Sequence, residues 1–488
     1  MLDNIQQANN GDKQFVSLNP ANQETVWQGE YADEINVDEA IKTARKAYVF
    51  WSQLKLEQRQ EYIKKFIEIL SINKDKYAQT ISQEMGKPLW EAKTEVSAMI
   101  GKYDLSVKSY HDRTGYIINN NSNIGSILIH KPIGVMVVFG PFNFPGHLPN
   151  GHILPALLAG NTVVFKPSEQ TPLCGEWMIK YWLEAGLPEG VLNLVQGAAE
   201  TGKALVNHPD INGVLFTGSY TVGKMIHQQL AGRPEVILAL EMGGNNALII
   251  DDSITSNYEI NAAVYNTIQS AFITSGQRCT CARRLYIPNS KTGKLFLDKL
   301  VEITSKLILT GSEPFMGPVV SLTAANNILK FKNNLINNSE NNITELSELK
   351  LMADNSALLA PGILLYKNNN LDILDAECFG PLLQVFYYTN FDEAIIAANN
   401  TKYGLAAGLL SNNKQNIDKF HNVIKAGIVN WNRPTTGAAG GLPFGGIGHS
   451  GNYRPSAAYA ADYCSYPMAS QYSENLELPE QLSPGIVL

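Results

Sequence analysis

The chain has 488 residues, 44% of them hydrophobic and 17% charged. That composition suits a folded protein of two to four domains, at ~100–200 residues each, and argues against disorder. Lys and Arg number 38 against 45 Asp and Glu, a formal charge of −7, so the basic footprint of a nucleic-acid binder is missing. The five cysteines, Cys174, Cys279, Cys281, Cys378 and Cys464, are too few and odd in number for a disulfide framework. The opening MLDNIQQANNGDKQ lacks the apolar core of a secretory signal, and no apolar run reaches the ~20 residues of a membrane span. A soluble cytoplasmic protein without membrane or nucleic-acid partners is the expectation.

Residues 57–70 read as an amphipathic helix, with Ile63, Phe66, Ile67 and Leu70 at i, i+3, i+4 and i+7. The segment 112–131 alternates weakly, as a β-hairpin leaving the main body would. From Ile133 the pattern changes to Val-rich strands (133–139, 162–165, 191–195, 214–217) separated by helical stretches near 152–158 and after Pro172. A second alternating region starts near Leu248 and includes 284–287, 384–388 and 428–430. Strands alternating with helices predict βαβ units and parallel sheets, an α/β fold. The Asn-rich stretch 333–342 (NNLINNSENN) has no apolar periodicity and reads as a solvated loop or helix end.

Several turns carry groups suited to chemistry. Cys279 follows Gly276-Gln277-Arg278, a tight backbone that exposes a thiol beside a cation favouring thiolate. A buried structural thiol is the bland alternative, and Cys279 with Cys281 as metal ligands is a poor one without a matching His/Cys cluster. Glu241 stands at the end of an apolar run before Gly243-Gly244; a carboxylate near a thiol can act as general base for water. Gly218, Ser219, Tyr220, Thr221, Val222 and Gly223 form a Gly-rich strand-to-helix turn that offers free N–H groups to phosphate. This is not the G-x-G-x-x-G fingerprint, and a plain βα turn is equally consistent with it. Lys166, Ser168 and Glu169 also follow a strand, where Lys and Glu can grip ribose hydroxyls or form an exposed ion pair. Asn143 lies between aromatics and prolines in Pro141–Pro145, and its amide can donate to an oxyanion. Each element is ambiguous alone.

Together they resemble the aldehyde dehydrogenase superfamily through nearly the whole chain. The motifs are PFNFP (141–145), KPSE (166–169), GSxxxG (218–223), ExGG (241–244), FxxxGQxC (272–279), ExFGP (377–381) and PFGG (443–446), in the family's order. The resemblance implies an NAD-dependent enzyme working through a thioester. Cys279 is its nucleophile, Glu241 its general base, and Asn143 with the Cys279 N–H its oxyanion hole. Lys166 and Glu169 hold the adenosine ribose, the 218–223 turn faces the pyrophosphate, and Glu377 and Phe379 position the nicotinamide half. Glu169 favours NAD over NADP because a carboxylate repels a 2′-phosphate. No metal is implied.

The family's architecture implies a Rossmann-like NAD-binding domain (1–112 and 132–243, rejoined by 438–455) and an α/β catalytic domain (244–437). A small β element for oligomerisation or bridging (113–131 and 456–488) completes the subunit of a homodimer or homotetramer. Asn245 departs from the lysine usual after the two glycines. GPFNFPGHLPNGH, QRCTCARR, GIVNWNRP and YAADYCSYPMAS resemble the branch acting on N-succinylglutamate semialdehyde in arginine breakdown. A dicarboxylate substrate calls for cations, and Arg433 and Arg278 are candidates against a purely structural role for each. Other readings stay open at this stage: a dehydrogenase for succinate or glutamate semialdehyde, an acylating CoA-dependent variant, a cysteine hydrolase or acyltransferase without redox chemistry, and a retired enzyme kept as a binding protein.

Overall fold

The computed structural model describes residues 14–119, 125–339, 342–367 and 374–488. Its first body is built on a five-stranded parallel sheet in the order Leu192–Leu194, Thr162–Lys166, Val135–Phe139, Gly213–Gly218, Ile237–Met242. The chain starts in the middle strand, works outward to one edge, then returns to the other side. The switch point therefore lies between Val135–Phe139 and Gly213–Gly218, the place beyond the carboxyl ends of the strands where sheets of this kind form a ligand crevice. Val135–Phe139 and Thr162–Lys166 are buried at every position, as expected of strands covered on both faces.

The helices Leu56–Ile72, Leu89–Arg113, His147–Ala159 and Pro172–Glu184 share one core with that sheet, containing Ile63, Phe66, Leu70, Val138 and Phe165. The apolar spacing over 57–70 thus marks a real buried stripe: Ile63, Phe66 and Leu70 are each 0% exposed. Residues 456–464, expected to begin the bridging element, instead pack into this first body. Ala460, Tyr463 and Cys464 belong to the same core, because the short helix Ala460–Cys464 lies against two of those helices.

The second body contains a seven-stranded sheet in the order Ile343–Ser347, Gly362–Tyr366, Leu382–Tyr388, Ala282–Pro288, Asn246–Ile250, Ala406–Leu410, Ile428–Trp431. Only the Ile343–Ser347 edge runs antiparallel. Three residues, 243–245, join Met242 at the carboxyl end of the first sheet to Asn246 at the amino end of a central strand of the second. So short a link brings those two sheet ends face to face. Part of the Asn-rich stretch belongs to the helix Leu322–Asn337, where Leu335 is buried; Glu340 and Asn341 lie outside the described residues. A three-stranded antiparallel sheet pairs Ile117–Asn119 with Gly125–Pro132, and the latter with Ser465–Tyr472. The expected hairpin is present on both flanks, while residues 120–124 at its turn lie outside the described residues. Among the described residues, no helix is long and apolar enough to cross a membrane.

Candidate active site

The Cys279 segment is shaped by an unusual turn. Beyond the helix Asn257–Ala271, Thr274 and Ser275 both adopt φ of 55°, a conformation that costs non-glycine residues energy and needs anchoring. The Thr274 hydroxyl donates to the buried Glu91 carboxylate, and the Ser275 hydroxyl donates to the Gly317 carbonyl. Gly276 follows at φ 69°. A Cβ there would fall 2.1 Å from the Gly380 carbonyl oxygen, so only glycine lets the cysteine loop lie against the 377–381 turn. The fully buried Arg283 fastens the two together, donating to the carbonyls of Gly276 (2.6 Å), Arg278 (3.0 Å) and Gly380 (3.2 Å). Asn246 holds the segment from below, its amide donating to the carbonyls of Cys279 (2.7 Å) and Cys281 (2.8 Å). Cys279 remains half-buried, while Cys281 is sealed and donates to the Ile273 carbonyl.

Asn143 reaches this segment from the first body. Its amide nitrogen donates to the Gln277 carbonyl at 2.9 Å, two residues before the thiol, which leaves its second N–H for a neighbouring oxygen. The Asn143 loop is itself held by charge. Lys87 donates to the Asn143 carbonyl and to Glu95, both at 2.7 Å, and Glu95 accepts from the N–H groups of Gly146 (2.9 Å) and His147 (3.0 Å). Both members of this ion pair have fully buried side chains. Such pairs add little net stability but fix geometry when every lone pair and proton finds a partner.

Two carboxylates face the thiol. Glu241 ends the strand Ile237–Met242 and is 3% exposed; neither of its oxygens has a well-formed hydrogen bond among the described residues. Burial raises it to about 7, opposed by nearby Ser456 and by the Lys102 ammonium. Glu377 is also raised to about 7 by burial, with Arg283 and the Gly244 N–H (3.2 Å) opposing. It packs so closely on the glycine link that a Cβ on Gly243 would overlap its Oε2 at 1.8 Å. The Cys279 thiol is pushed well up by burial first, and further by Glu377 and Glu241. A thiol and two carboxylates thus compete for protons, and ionised carboxylates discourage the thiolate. Phe379 stands edge-on to Phe142, with their centroids 5.8 Å apart, and lies under Arg283.

The remaining residues line the crevice of the first sheet. Lys166 ends a strand beside the switch point, is 7% exposed and donates to the carbonyls of Gly197 (2.6 Å) and Pro167 (2.9 Å). Half-exposed Glu169 lies 3.8 Å from its ammonium, with Ser168 between them in sequence. Gly218 ends the next strand, and Ser219 caps the helix Tyr220–Gln229. The first N–H groups of that helix, at Tyr220, Thr221 and Val222, have no intrahelical carbonyl to meet, and Thr221 and Val222 are exposed. Gly223 lets the helix settle on Met242, whose Sδ a Cβ would approach to 2.4 Å. Tyr220 stacks on His449 at 3.7 Å, which joins the turn to the 438–455 segment. An exposed helix N-terminus and a lysine–glutamate pair at a switch-point crevice fit a phosphate-bearing dinucleotide.

The family model for the aldehyde dehydrogenase family matches residues 6–468. The chain belongs to the aldehyde dehydrogenase family. This aldehyde dehydrogenase is 51% identical over 476 residues to the N-succinylglutamate 5-semialdehyde dehydrogenase of Enterobacter sp. strain 638, covering 96% of this chain and 94% of the relative. It is 50% identical over 480 residues to the enzyme of that name from Acinetobacter baylyi, covering 98% and 96%. A solved NAD+ complex of an aldehyde dehydrogenase from Bacillus cereus superposes with a TM-score of 0.88 at 29% identity, over 95% of this chain and 94% of that one.

The two arginine candidates in this aldehyde dehydrogenase part company. Arg278 donates to Glu91 and to the Thr274 hydroxyl, both at 2.7 Å, and lies over the Phe144 ring. Of the two roles weighed for Arg278, substrate cation and structural arginine, this pairing favours the structural one: its charge is already matched by a fully buried carboxylate. Arg433 is exposed on the turn after the Ile428–Trp431 strand, without a hydrogen bond or ion pair among the described residues. Sequence reasoning missed Lys87, Glu91, Glu95 and Lys102. For Glu91, Glu95 and Lys102 a signal is present: charged residues recur on the face of the helix Leu89–Arg113 that also carries Val96 and Met99, where an amphipathic helix should be apolar. Asn246 and Arg283 left no such mark.

Proposed function

We propose that this aldehyde dehydrogenase oxidises N-succinylglutamate 5-semialdehyde to N-succinylglutamate in arginine breakdown, with NAD as hydride acceptor. The observation that supports it best is the junction of the two sheet ends. There the accessible Cys279 thiol, the Asn143 amide and the unpartnered Glu241 carboxylate come from three separate segments. The half-buried thiol attacks the aldehyde carbon, its proton passing through a neighbouring carboxylate to solvent. The Asn143 N–H and the Cys279 backbone N–H donate to the resulting alkoxide. NAD, when bound, supplies the acceptor for the hydride that leaves the substrate carbon, and Cys279 is left acylated as a thioester. Glu241, whose carboxyl titrates at about 7, then takes a proton from water as water attacks the acyl carbon and Cys279 leaves as the thiolate.

Lys166, Ser168 and Glu169 hold the adenosine ribose. The residues Gly218, Ser219, Tyr220, Thr221, Val222 and Gly223 face the pyrophosphate, and Glu377 and Phe379 orient the nicotinamide. Residues 1–112 and 132–243 with 438–455 are the cofactor domain and 244–437 the catalytic domain. The sheet of Ile117–Asn119, Gly125–Pro132 and Ser465–Tyr472 serves assembly into a dimer or tetramer of a cytoplasmic enzyme. NADH formation at 340 nm with a panel of aldehydes tests the substrate. N-succinylglutamate semialdehyde leading succinate semialdehyde, glutamate semialdehyde and butanal in kcat/KM by ~10²-fold or more supports it. Comparable rates across the panel leave the chemistry intact and remove the arginine-catabolic role.

A further inference from the structure

A dicarboxylate substrate needs a cation near the thiol, and Arg278 is already paired. The helix Leu89–Arg113 offers another. Glu91 and Glu95 on this helix clamp the Cys279 and Asn143 segments, so their face is the wall of the site. Lys102 lies seven residues, two helical turns, beyond Glu95 on the same face, about 10 Å along the axis. It is 7% exposed, yet its ammonium has no hydrogen bond and no ion pair among the described residues. Every other strongly buried lysine here has partners: Lys87 holds Glu95 and the Asn143 carbonyl, Lys166 two carbonyls, and Lys332 Glu345 and the Leu349 carbonyl.

The surroundings of Lys102 lead back to the reacting groups. The Lys102 Nζ lies against Gly151 of the helix His147–Ala159, 3.8 Å from where a Cβ there would stand. Its field reaches Glu241, His147 and His152. Both histidines are held neutral, at about 3, chiefly by burial, so neither competes for an anion. One turn further along, Leu105 meets the glycine-rich loop after Arg433, where a Cβ on Gly440 would come within 2.6 Å of its Cδ1. Lys102 therefore lies within the field of Glu241, one helical turn before the residue that meets the Gly440 loop. Glu241 opposes the cost of burying Lys102 without touching it; a buried ammonium with no contacting counter-ion is costly, and a substrate carboxylate lowers that cost while it is bound.

We propose that Lys102 is the specificity-determining cation of the aldehyde site, its ammonium receiving one carboxylate of the semialdehyde substrate. This rests on the dicarboxylate reading above.

The test compares kcat/KM for N-succinylglutamate semialdehyde and for butanal in the wild type, Lys102→Met and Lys102→Arg. The ratio kcat/KM reports only steps up to the first irreversible one, so an effect of Lys102 on thioester hydrolysis by Glu241 does not enter it. In Lys102→Met the value for the dicarboxylate falls by about 10²-fold, mostly through KM, while that for butanal stays within about threefold. An equal fall for both aldehydes, or an unchanged dicarboxylate value, overturns the assignment. Methionine removes an unpaired buried charge, so Tm holds or rises. Should that variant fail to fold, Lys102→Arg still decides: it keeps the charge but moves it, so KM for the dicarboxylate changes at least about threefold with butanal unaffected, and an unchanged KM overturns the proposal. A wild type without preference for the dicarboxylate overturns the substrate reading itself, and Lys102 with it.

Discussion

The Asn143 side-chain amide donates to the Gln277 backbone carbonyl at 2.9 Å, so one hydrogen bond ties the loop of the first sheet to the segment that carries Cys279. The same amide has a second N–H, and Lys87 fixes the loop through the Asn143 carbonyl. Asn143→Ala is expected to lower kcat by about 10²–10³-fold, the usual cost of one oxyanion donor, while NAD still binds. A kcat within about fivefold of wild type would assign Asn143 to structure alone.

Cys279→Ala should abolish NADH formation with every aldehyde while leaving NAD affinity unchanged by calorimetry. Cys281→Ala should keep most of the activity, because its thiol is sealed against the Ile273 carbonyl. Reversal of these two results would mean that the other thiol of the pair is the nucleophile.

Glu241 carries a pH prediction with a definite sign. Its carboxyl titrates at about 7 in the folded protein against the ordinary 4.5, so the folded state holds a proton that the unfolded chain releases between those values. That group favours folding below pH 4.5, loses the contribution as pH rises to about 7, and contributes no further change above it. Glu241→Gln should therefore raise Tm at pH 8 relative to wild type and leave it nearly unchanged at pH 4.5. As the base for water, Glu241 also makes thioester hydrolysis rise with pH through about 7. Glu241→Gln should flatten that rise and accumulate acylated enzyme, visible as a mass increase on Cys279. A Gln variant with the wild-type pH profile and no acylated fraction would move the base elsewhere.

Cofactor choice tests Glu169. It is half-exposed and 3.8 Å from the Lys166 ammonium, where its charge would oppose a 2′-phosphate. Wild type should prefer NAD to NADP in kcat/KM, and Glu169→Gln should narrow the preference by about two- to fivefold, the loss of roughly one surface-exposed charge repulsion. Equal use of both cofactors by the wild type would rule out this reading of Glu169.

Much of the fold was legible because strand and helix periods are local. The apolar stripe of 57–70 predicts which side of its helix is buried, and the Val-rich runs predict buried parallel strands. The site motifs were legible for a related reason. Gly276 and Gly243 are glycines because a backbone carbonyl and a carboxylate occupy the space a Cβ would need, and such demands leave fixed letters in the chain. The Asn-rich stretch misled in part because asparagines on the solvent side of a helix mask its buried leucine, Leu335.

Pairing between distant segments was not legible. Nothing near Arg278 in sequence announces Glu91, 187 residues away, and only that pair shows the Arg278 charge to be matched. Likewise Lys102 reads as one charge among many until tertiary packing buries it without a counter-ion. The sequence by itself determined most secondary elements, the family and the order of its motifs, because each rests on local pattern or on one residue's own geometry. The three-dimensional structure alone decided which charges are paired, how far burial moves Glu241 and Glu377, and which of two thiols is reachable. Those properties depend on the distance and dielectric between groups that the chain brings together only when the two sheet ends meet.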